Sequence, residues 1–210
     1  MKILIVAATR AELSGLISSF NLQEGNLITT PEFDVLITGV GMTATAFALG
    51  QHLSPAYELV INLGIAGCYD RQVPLGTVLN IITDEFSELG AENREEFISI
   101  DELSFGKSVY QAEHNRSDEA IIRLPRVNGI TVNKVHGNTE SIAAVVKRLH
   151  PITESMEGAA VFYSCGQLGI PCLQIRSISN YVEERNRDNW KIGLAIKQLN
   201  DWAIEFLTNR

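Results

Sequence analysis

Three polar residues follow apolar runs where open α/β folds place their active groups, just past the carboxyl ends of strands. Glu12 follows the run at residues 2–8, Glu157 follows the short segment PITESM, and Asn180 follows the run at residues 171–179. A carboxylate in such a position can act as a general base or hold a substrate hydroxyl. Taken singly, each acid is more often a solvated or helix-capping residue, and the asparagine a turn residue.

A glycine-rich turn fits the relaxed dinucleotide fingerprint G-x-G-x-x-A, with Gly39, Gly41 and Ala44 in the defining positions. The fingerprint also requires an acidic residue after the next strand, and the apolar run at residues 59–67 ends without one. The turn is better interpreted as backbone that approaches a ligand or offers N–H groups to an anion. The four histidines show no ligand spacing and there is no serine nucleophile elbow, so neither a metal nor an organic cofactor is expected.

The composition argues against several classes of partner. The 210 residues include 17 basic and 25 acidic side chains, and the net charge of -8 disfavours binding to nucleic acid or an anionic membrane. Only six apolar residues follow Lys2, too few for a signal peptide or a membrane span, so a cytoplasmic location is expected. Cys68, Cys165 and Cys172 are predicted to be buried reduced thiols, and the sequon Asn115-Arg116-Ser117 carries no weight without a secretory signal.

Short apolar runs rich in β-branched residues alternate with stretches of helical spacing, which is typical of an α/β layer fold. Strands are predicted at residues 2–8, 33–39, 59–67, 77–86, 129–137 and 171–179. Helices are predicted at residues 42–53, 139–149, 157–168 and 188–207. Because no repeat, linker or change in composition divides the chain, one domain spanning residues 1–210 is expected.

Residues 87–125 differ from the rest, because acidic and polar side chains interrupt every periodicity. We interpret this segment as a series of excursion loops. It could be a lid, a subunit contact or a solvated surface, and the sequence does not decide among them.

Taken together, these positions resemble the nucleoside phosphorylase and hydrolase superfamily, and within it the methylthioadenosine/adenosylhomocysteine nucleosidases. The motifs that carry the resemblance are MKILIVAATRAEL (1–13), TGVGMTATAFAL (38–49), NLGIAGCYD (62–70), ESMEGAAVFYSC (154–165) and IRSISN (175–180). The resemblance implies a three-layer α/β fold with a central twisted mixed β-sheet flanked by helices. It also implies a small-molecule nucleoside substrate, no cofactor, and a homodimer or higher homo-oligomer.

The resemblance assigns roles to individual residues. Glu12 matches the acid that activates the attacking water, and Met156 with Glu157 matches the segment that holds the ribose hydroxyls. The residues implied to border the purine base are Ala66, Gly67, Gly137, Asn138 and Thr139.

Two departures from the adenine-releasing enzymes bear on the substrate. Asn180 stands where those enzymes have an aspartate, and Ile65 stands where they have a serine. An asparagine amide can donate to a 6-oxo oxygen while its carbonyl accepts from a protonated N7, which suits hypoxanthine better than adenine. A 6-oxopurine nucleoside is therefore the predicted substrate.

The segments ISNYVEERNRDNW and DEFSELGAE are similar to the futalosine hydrolases of menaquinone biosynthesis. This resemblance implies cleavage of futalosine to hypoxanthine and dehypoxanthinyl futalosine, and Arg185 and Arg187 are candidates for binding the carboxylate of its 5′ tail. Three alternatives stay open: an adenine-releasing nucleosidase, a purine nucleoside phosphorylase, and a silent nucleoside-binding protein.

Overall fold

The computed structural model describes residues 2–114 and 117–209, so Asn115 and Arg116 of the sequon lie outside the described residues. The strands are β1 (Lys2–Ala7), β2 (Leu27–Thr29), β3 (Phe33–Ile37), β4 (Tyr57–Cys68), β5 (Val78–Phe86), β6 (Gly90–Asn93), β7 (Glu96–Ser99), β8 (Val109–Gln111), β9 (Arg126–Thr131), β10 (Thr153–Ser155) and β11 (Cys172–Tyr181). The α-helices are α1 (Ser14–Ser19), α2 (Met42–His52), α3 (Glu119–Ile122), α4 (Thr139–Leu149), α5 (Gly158–Leu168) and α6 (Ile192–Thr208). Short 3-10 turns occupy Ala11–Leu13 and Arg187–Asn189.

Across the two described ranges, nine strands form one mixed sheet in the order β10-β9-β5-β11-β4-β1-β3-β2, with β8 added beside β5. Strands β3, β1, β4 and β11 run parallel, whereas β5 is antiparallel to β11. Strand β10 pairs with both β9 and β4, so β4, β11, β5, β9 and β10 close into a ring. The closure brings β10, at one end of the order, against β4 in its middle.

The side chains of β1 alternate between two hydrophobic cores. Ile3 and Ile5 pack in a cluster with residues of α1 and α6, whereas Leu4 and Val6 pack in a second cluster with residues of α2 and α5. Because successive strand residues face opposite sides of a sheet, the two clusters lie on its two faces. The predicted three-layer α/β fold with a mixed sheet between helices is therefore confirmed.

The structure differs from the predicted elements mainly between residues 87 and 137. The segment interpreted as loops contains the β6–β7 hairpin, the strand β8, which pairs with β5, and the short helix α3. The strand predicted at 129–137 is β9, which starts at Arg126 and ends at Thr131. Because β9 starts with polar residues, the apolar pattern did not indicate the segment that pairs with β5.

Helix α6 fixes the turn that carries Glu12. Asn200 of α6 is buried, and its Nδ2 donates to the carbonyl oxygen of Glu12 at 2.8 Å while its Oδ1 accepts from the Leu16 N–H at 2.7 Å. The side chain thus joins the last helix of the chain to the turn after its first strand. In the described ranges, no helix is both long enough and apolar enough to cross a bilayer.

Candidate active site

A cavity of about 320 Å³ opens at the carboxyl ends of β1, β4 and β11. Six of the residues predicted to act on substrate line it, and they come from segments far apart in the sequence. These are Glu12, Ala66, Gly67, Met156, Glu157 and Asn180. The sheet therefore brings the predicted catalytic residues and most of the predicted ribose and base contacts into one place.

Glu12 lies at the floor of this cavity and is 8% exposed. Its Oε2 accepts hydrogen bonds from the N–H and the hydroxyl of Thr9, both at 3.0 Å, and its Oε1 accepts from the Ile65 N–H at 3.2 Å. Burial raises the pKa of Glu12, and the nearby Arg176 guanidinium opposes that rise. A fixed carboxylate with a raised pKa is suited to take a proton from a nucleophile.

Arg176 is 1% exposed and lies beneath both carboxylates. Its Nε donates to Gln174 Oε1 at 3.0 Å, and its Nη1 lies 3.7 Å from Glu157 Oε2. A Cβ atom on Gly64 would lie 1.9 Å from Arg176 Nη1 and 3.0 Å from Glu12 Oε1, so both groups lie over the same glycine. Its Nη2 is buried and has no hydrogen-bond partner within the described part of the chain, and Arg176 is not among the residues that line the cavity.

Glu157 is 7% exposed and precedes the first turn of α5 without capping it through its side chain. Its Oε1 accepts instead from the Gly41 N–H at 3.0 Å. Gly41 has a φ of 95°, a left-handed conformation that favours glycine. The glycine-rich turn therefore offers its N–H to an anion, as the sequence suggested, and the anion is a carboxylate of the protein itself.

A buried chain of hydrogen bonds connects Arg176 to Gln174 and Asp84. Asp84 is 2% exposed, and its carboxylate accepts from Gln174 Nε2 and from the Thr131 hydroxyl, each at 2.8 Å. Burial raises the pKa of Asp84 to about 6, against the lowering effect of these hydrogen bonds. Because Gln174 is hydrogen bonded to both Asp84 and Arg176, the position of the guanidinium depends on that of the Asp84 carboxylate.

Asn180 forms the opposite side of the cavity, at the end of β11. Its Oδ1 accepts from the Ser179 hydroxyl at 2.8 Å, and its Nδ2 donates to the Tyr181 carbonyl at 3.0 Å. These bonds fix the orientation of the amide, because its oxygen accepts and its nitrogen donates. A second lone pair on Oδ1 and a second hydrogen on Nδ2 remain for a ligand. A Cβ on Gly67 would lie 3.3 Å from Asn180 Nδ2, so the glycine keeps this end of the cavity open.

Three predicted base contacts lie beside the cavity lining. Asn138 caps α4, with its side chain accepting from the N–H groups of Glu140 and Ser141. The Thr139 hydroxyl donates to Glu184 at 2.8 Å on the surface, and Gly137 packs against the side chain of Arg185. Their role in substrate binding stays a prediction.

Arg185 and Arg187 are exposed near the mouth of the cavity. Their guanidinium carbons lie 5.2 Å and 5.8 Å from the ring centre of Trp190, which lines the cavity. Both arginines can therefore reach a group that extends out of the cavity past Trp190.

Comparison with known proteins places this architecture in a family. The family model of the phosphorylase superfamily matches residues 2–207 of the chain. The chain belongs to the phosphorylase superfamily. Within that superfamily, a futalosine hydrolase of Streptomyces coelicolor is 30% identical over 179 residues, which cover 80% of this chain and 76% of that protein.

Two solved structures show that the superfamily fold is shared throughout the chain. A futalosine hydrolase of Helicobacter pylori has a TM-score of 0.81 at 15% identity, over 100% of this chain and 98% of that one. A 5′-methylthioadenosine/S-adenosylhomocysteine nucleosidase of Colwellia psychrerythraea, in complex with adenine, has a TM-score of 0.80 at 18% identity, over 99% and 95%. Because the two scores are nearly equal, the fold alone does not separate these activities.

Several residues of this phosphorylase-superfamily site carried no clear signal in the sequence. Arg176, Gln174 and Asp84 lie inside apolar strand runs, where a single polar residue is the one available hint of a buried network. His136 and Glu154 also line the cavity, although the histidines had suggested only surface or core positions. In the described residues, no group of His, Cys, Asp and Glu side chains could hold a metal ion.

Replacing Gly64 with Ala should destabilise the folded protein, because the new Cβ would collide with Arg176 Nη1. The guanidinium cannot move away without losing its contacts with Gln174 and Glu157. We expect the free energy of unfolding, measured by urea denaturation, to fall by about 1–3 kcal/mol.

The matched control is Gly50→Ala in α2, where a Cβ would meet nothing within 4 Å. This variant should be as stable as the wild type or slightly more stable, since Ala favours a helix over Gly. A Gly64→Ala variant as stable as the control would contradict the close approach of Arg176 to the strand.

Proposed function

We propose that this protein hydrolyses the N-glycosidic bond of futalosine, a 6-oxopurine nucleoside, to hypoxanthine and dehypoxanthinyl futalosine in menaquinone biosynthesis. One observation carries the proposal: the buried carboxylates of Glu12 and Glu157 line the same cavity as the Asn180 amide, and the Arg176 guanidinium lies 3.7 Å from Glu157. The similarity to futalosine hydrolases supports the choice of nucleoside. The three free cysteines, all buried, support the cytoplasm as the compartment.

Glu12 is the group that activates water. Its carboxylate accepts a proton from a water in the cavity, and the charge of the buried Arg176 favours the ionised form of Glu12 that this step needs. The water oxygen bonds to C1′ of the ribose, the C1′–N9 bond breaks, and its electron pair leaves with the base. The water proton goes to Glu12, and Glu157 orients the ribose through its remaining lone pairs.

Asn180 stabilises the departing base. Its free Nδ2 hydrogen can donate to the 6-oxo oxygen, and its free Oδ1 lone pair can accept from N7 once that nitrogen is protonated. An asparagine has no acidic proton to give, so the base takes its proton from solvent. At the other end of the nucleoside, Arg185 and Arg187 bind the carboxylate of the 5′ tail beside Trp190.

Hydrolysis is favoured over phosphorolysis by the position of Arg10. Arg10 is near Glu12 in the sequence and could bind phosphate, but its Nη1 donates to the carbonyls of Gln23 and Gly25 at 3.3 and 3.2 Å. The adenine-releasing alternative is disfavoured by Asn180, and the silent binder by the raised pKa of a cavity-lining Glu12.

Replacing Glu12 with Gln should abolish most hydrolysis while preserving substrate affinity, because Gln keeps the size of the side chain and cannot accept the water proton. We expect kcat for hypoxanthine release from futalosine to fall by about 10²- to 10⁴-fold. Chromatographic assays with futalosine, inosine and methylthioadenosine, each with and without phosphate, measure the release. The exposed Glu119→Gln variant on α3 is the control and should retain full activity.

Each alternative predicts a different result in the same assays. Release of the base that depends on phosphate would identify the protein as a phosphorylase and contradict the role of Glu12 in activating water. Adenine release from methylthioadenosine would contradict the role of Asn180. Substrate binding without release of any base would identify the protein as a nucleoside-binding protein without catalytic activity.

The midpoint of the acid limb of the pH–activity profile should lie above 4.5, the ordinary pKa of a glutamate, because burial raises the pKa of Glu12. Glu12 must be ionised to accept a proton, so kcat/KM should decline tenfold per pH unit below that pKa. Asp84, with a pKa of about 6, could produce a similar decline, and an Asp84→Asn variant separates the two. A midpoint at or below 4.5, or one that disappears in Asp84→Asn, would contradict Glu12 as the base.

A homodimer is the proposed assembly. A second cavity of about 540 Å³ lies between α2, β5, β8 and α5, with an apolar lining that includes Met42, Phe86 and Tyr110. Phe47 of α2 is 66% exposed and Val40 before it 58% exposed. Large apolar side chains exposed around an apolar cavity mark a surface that a partner covers, and a second copy of this chain suits the symmetric dimers common among enzymes.

Replacing Phe47 with Glu should dissociate this dimer, because a charge would enter its apolar interface. Light scattering after size exclusion should give twice the 23.1 kDa mass for the wild type and one chain mass for the variant. The control is Ile122→Glu on α3, which alters a side chain that is also 66% exposed and should leave the mass unchanged. A monomeric wild type at tens of micromolar would refute the proposed interface.

A further inference from the structure

Asp84 is a buried carboxylate to which the proposed mechanism gives no role. It lies on β5, is 2% exposed, and is not among the residues that line the cavity. Because β5 lies between β11 and β9 in the sheet, the side chain can contact a residue of each neighbouring strand. It accepts one hydrogen bond from Gln174 of β11 and one from Thr131 of β9. Each bond begins a chain of contacts that leads to Glu157.

The first chain passes through the guanidinium. Asp84 Oδ2 accepts from Gln174 Nε2 at 2.8 Å, and Gln174 Oε1 accepts from Arg176 Nε at 3.0 Å. A carboxylate offers only lone pairs, so the amide of Gln174 must direct its NH₂ group to Asp84 and its oxygen to Arg176. Arg176 Nη1 in turn lies 3.7 Å from Glu157 Oε2. Asp84 therefore sets the orientation of the amide that holds the guanidinium.

The second chain passes through the start of α5. The Thr131 hydroxyl donates to Asp84 Oδ1 at 2.8 Å, and its oxygen accepts from the Ala159 N–H at 2.8 Å. That N–H belongs to the first turn of the helix, where no intrahelical acceptor is available. Glu157 precedes this turn and makes no side-chain cap. Because Thr131 supplies an acceptor, the Glu157 carboxylate is left to bind the Gly41 N–H and to face the cavity.

Gly158 brings the two chains together. A Cβ atom on this glycine would overlap with Gln174 Oε1 and with Asp84 Oδ2. The first residue of α5 therefore packs directly against the hydrogen bond between Asp84 and Gln174. Since Glu157 is the preceding residue, a shift of either side chain would displace the backbone that carries its carboxylate.

We propose that Asp84 is a positioning residue for the sugar site: it fixes Arg176 through Gln174 and the start of α5 through Thr131, and so directs the Glu157 carboxylate to a ribose hydroxyl. This inference rests on the proposed hydrolysis of a ribonucleoside and assigns the selection of its sugar to a residue outside the cavity. A carboxylate that is held in place before binding loses little freedom when it accepts a substrate hydroxyl. Discrimination against a sugar without that hydroxyl therefore depends on Asp84.

The test compares two nucleosides that share the base and the 5′ group and differ only in the 2′ hydroxyl. It is carried out at pH 8, because Asp84, with a pKa of about 6, is ionised there. In wild type, kcat/KM should favour the ribonucleoside. Asp84→Asn offers one acceptor atom in place of two and cannot accept from both Gln174 and Thr131. This variant should reduce the preference by about 5- to 20-fold.

A double variant that exchanges the two side chains, Asp84→Asn with Gln174→Glu, should recover most of the preference. The new amide at position 84 can donate to the new carboxylate at position 174, which accepts from Arg176 Nε, while the amide oxygen accepts from the Thr131 hydroxyl. All three hydrogen bonds keep their direction, and the net charge of the cluster is that of the wild type.

Asp34→Asn is the matched control. Asp34 lies on β3, is 6% exposed, and accepts from the Tyr57 hydroxyl at 2.8 Å, outside the cavity lining and both chains. Its loss should leave the preference unchanged, because a change in stability alone affects both nucleosides equally. Melting temperatures show that each variant is folded under the assay conditions.

The outcomes separate this inference from the proposed function. If Asp84→Asn hydrolyses both nucleosides with the wild-type preference, the role of Asp84 is overturned and the proposed hydrolase stands. A loss of preference that the double variant does not recover also overturns it, because the effect would not depend on the directions of these hydrogen bonds. If the wild type releases no base from either nucleoside, the proposed function fails together with this inference.

Discussion

The charge of one buried guanidinium makes this cavity possible. Glu12 and Glu157 are both nearly closed to solvent, and two carboxylates so placed would repel each other and lose their hydration. Arg176 Nη1 lies 3.7 Å from Glu157 Oε2, and the charge of the guanidinium also lowers the pKa of Glu12. The backbone must make room for it, which explains why Gly64 stands beneath its Nη1. The environment of Glu12, the proposed water-activating acid, thus depends on a residue two strands away from it.

The topology of the sheet places the other cavity-lining residues close to Glu12 and Glu157. Strand β4 is 12 residues long and pairs with β1, β11 and β10, so it is the common neighbour of every strand that carries a cavity residue. Its end at Gly67 lies between Asn180 and Glu154, and its middle at Gly64 lies under Arg176. Two glycines on one strand therefore leave space beside Asn180 and for the guanidinium, respectively.

The sequence predicted the layers and singled out three residues that line one cavity, because both inferences depend on local patterns. Apolar runs with β-branched residues marked the long strands, and Glu12, Glu157 and Asn180 stood out because polar residues after strands are few. Arg176, Gln174 and Asp84 could not be grouped from sequence, because their pairing depends on the register of β11 against β5. His136 was missed for the same reason, since its partners Glu154 and Tyr69 belong to other strands or loops. The expected role of residues 87–125 as lid or subunit contact stays a prediction.

The balance of charge in the cavity agrees with the chemistry proposed for it. One arginine faces two carboxylates, and the Asp84 carboxylate lies behind them, so the cluster has an excess of negative charge near neutral pH. Cleavage of an N-glycosidic bond passes through an oxocarbenium-like ribose that carries positive charge. Fixed carboxylates with little exposure stabilise that charge more strongly than water would, because they need no reorganisation and are weakly screened. The Arg176 charge opposes the rise in the Glu12 pKa that burial causes, and it thereby favours the ionised carboxylate that the proposed chemistry requires.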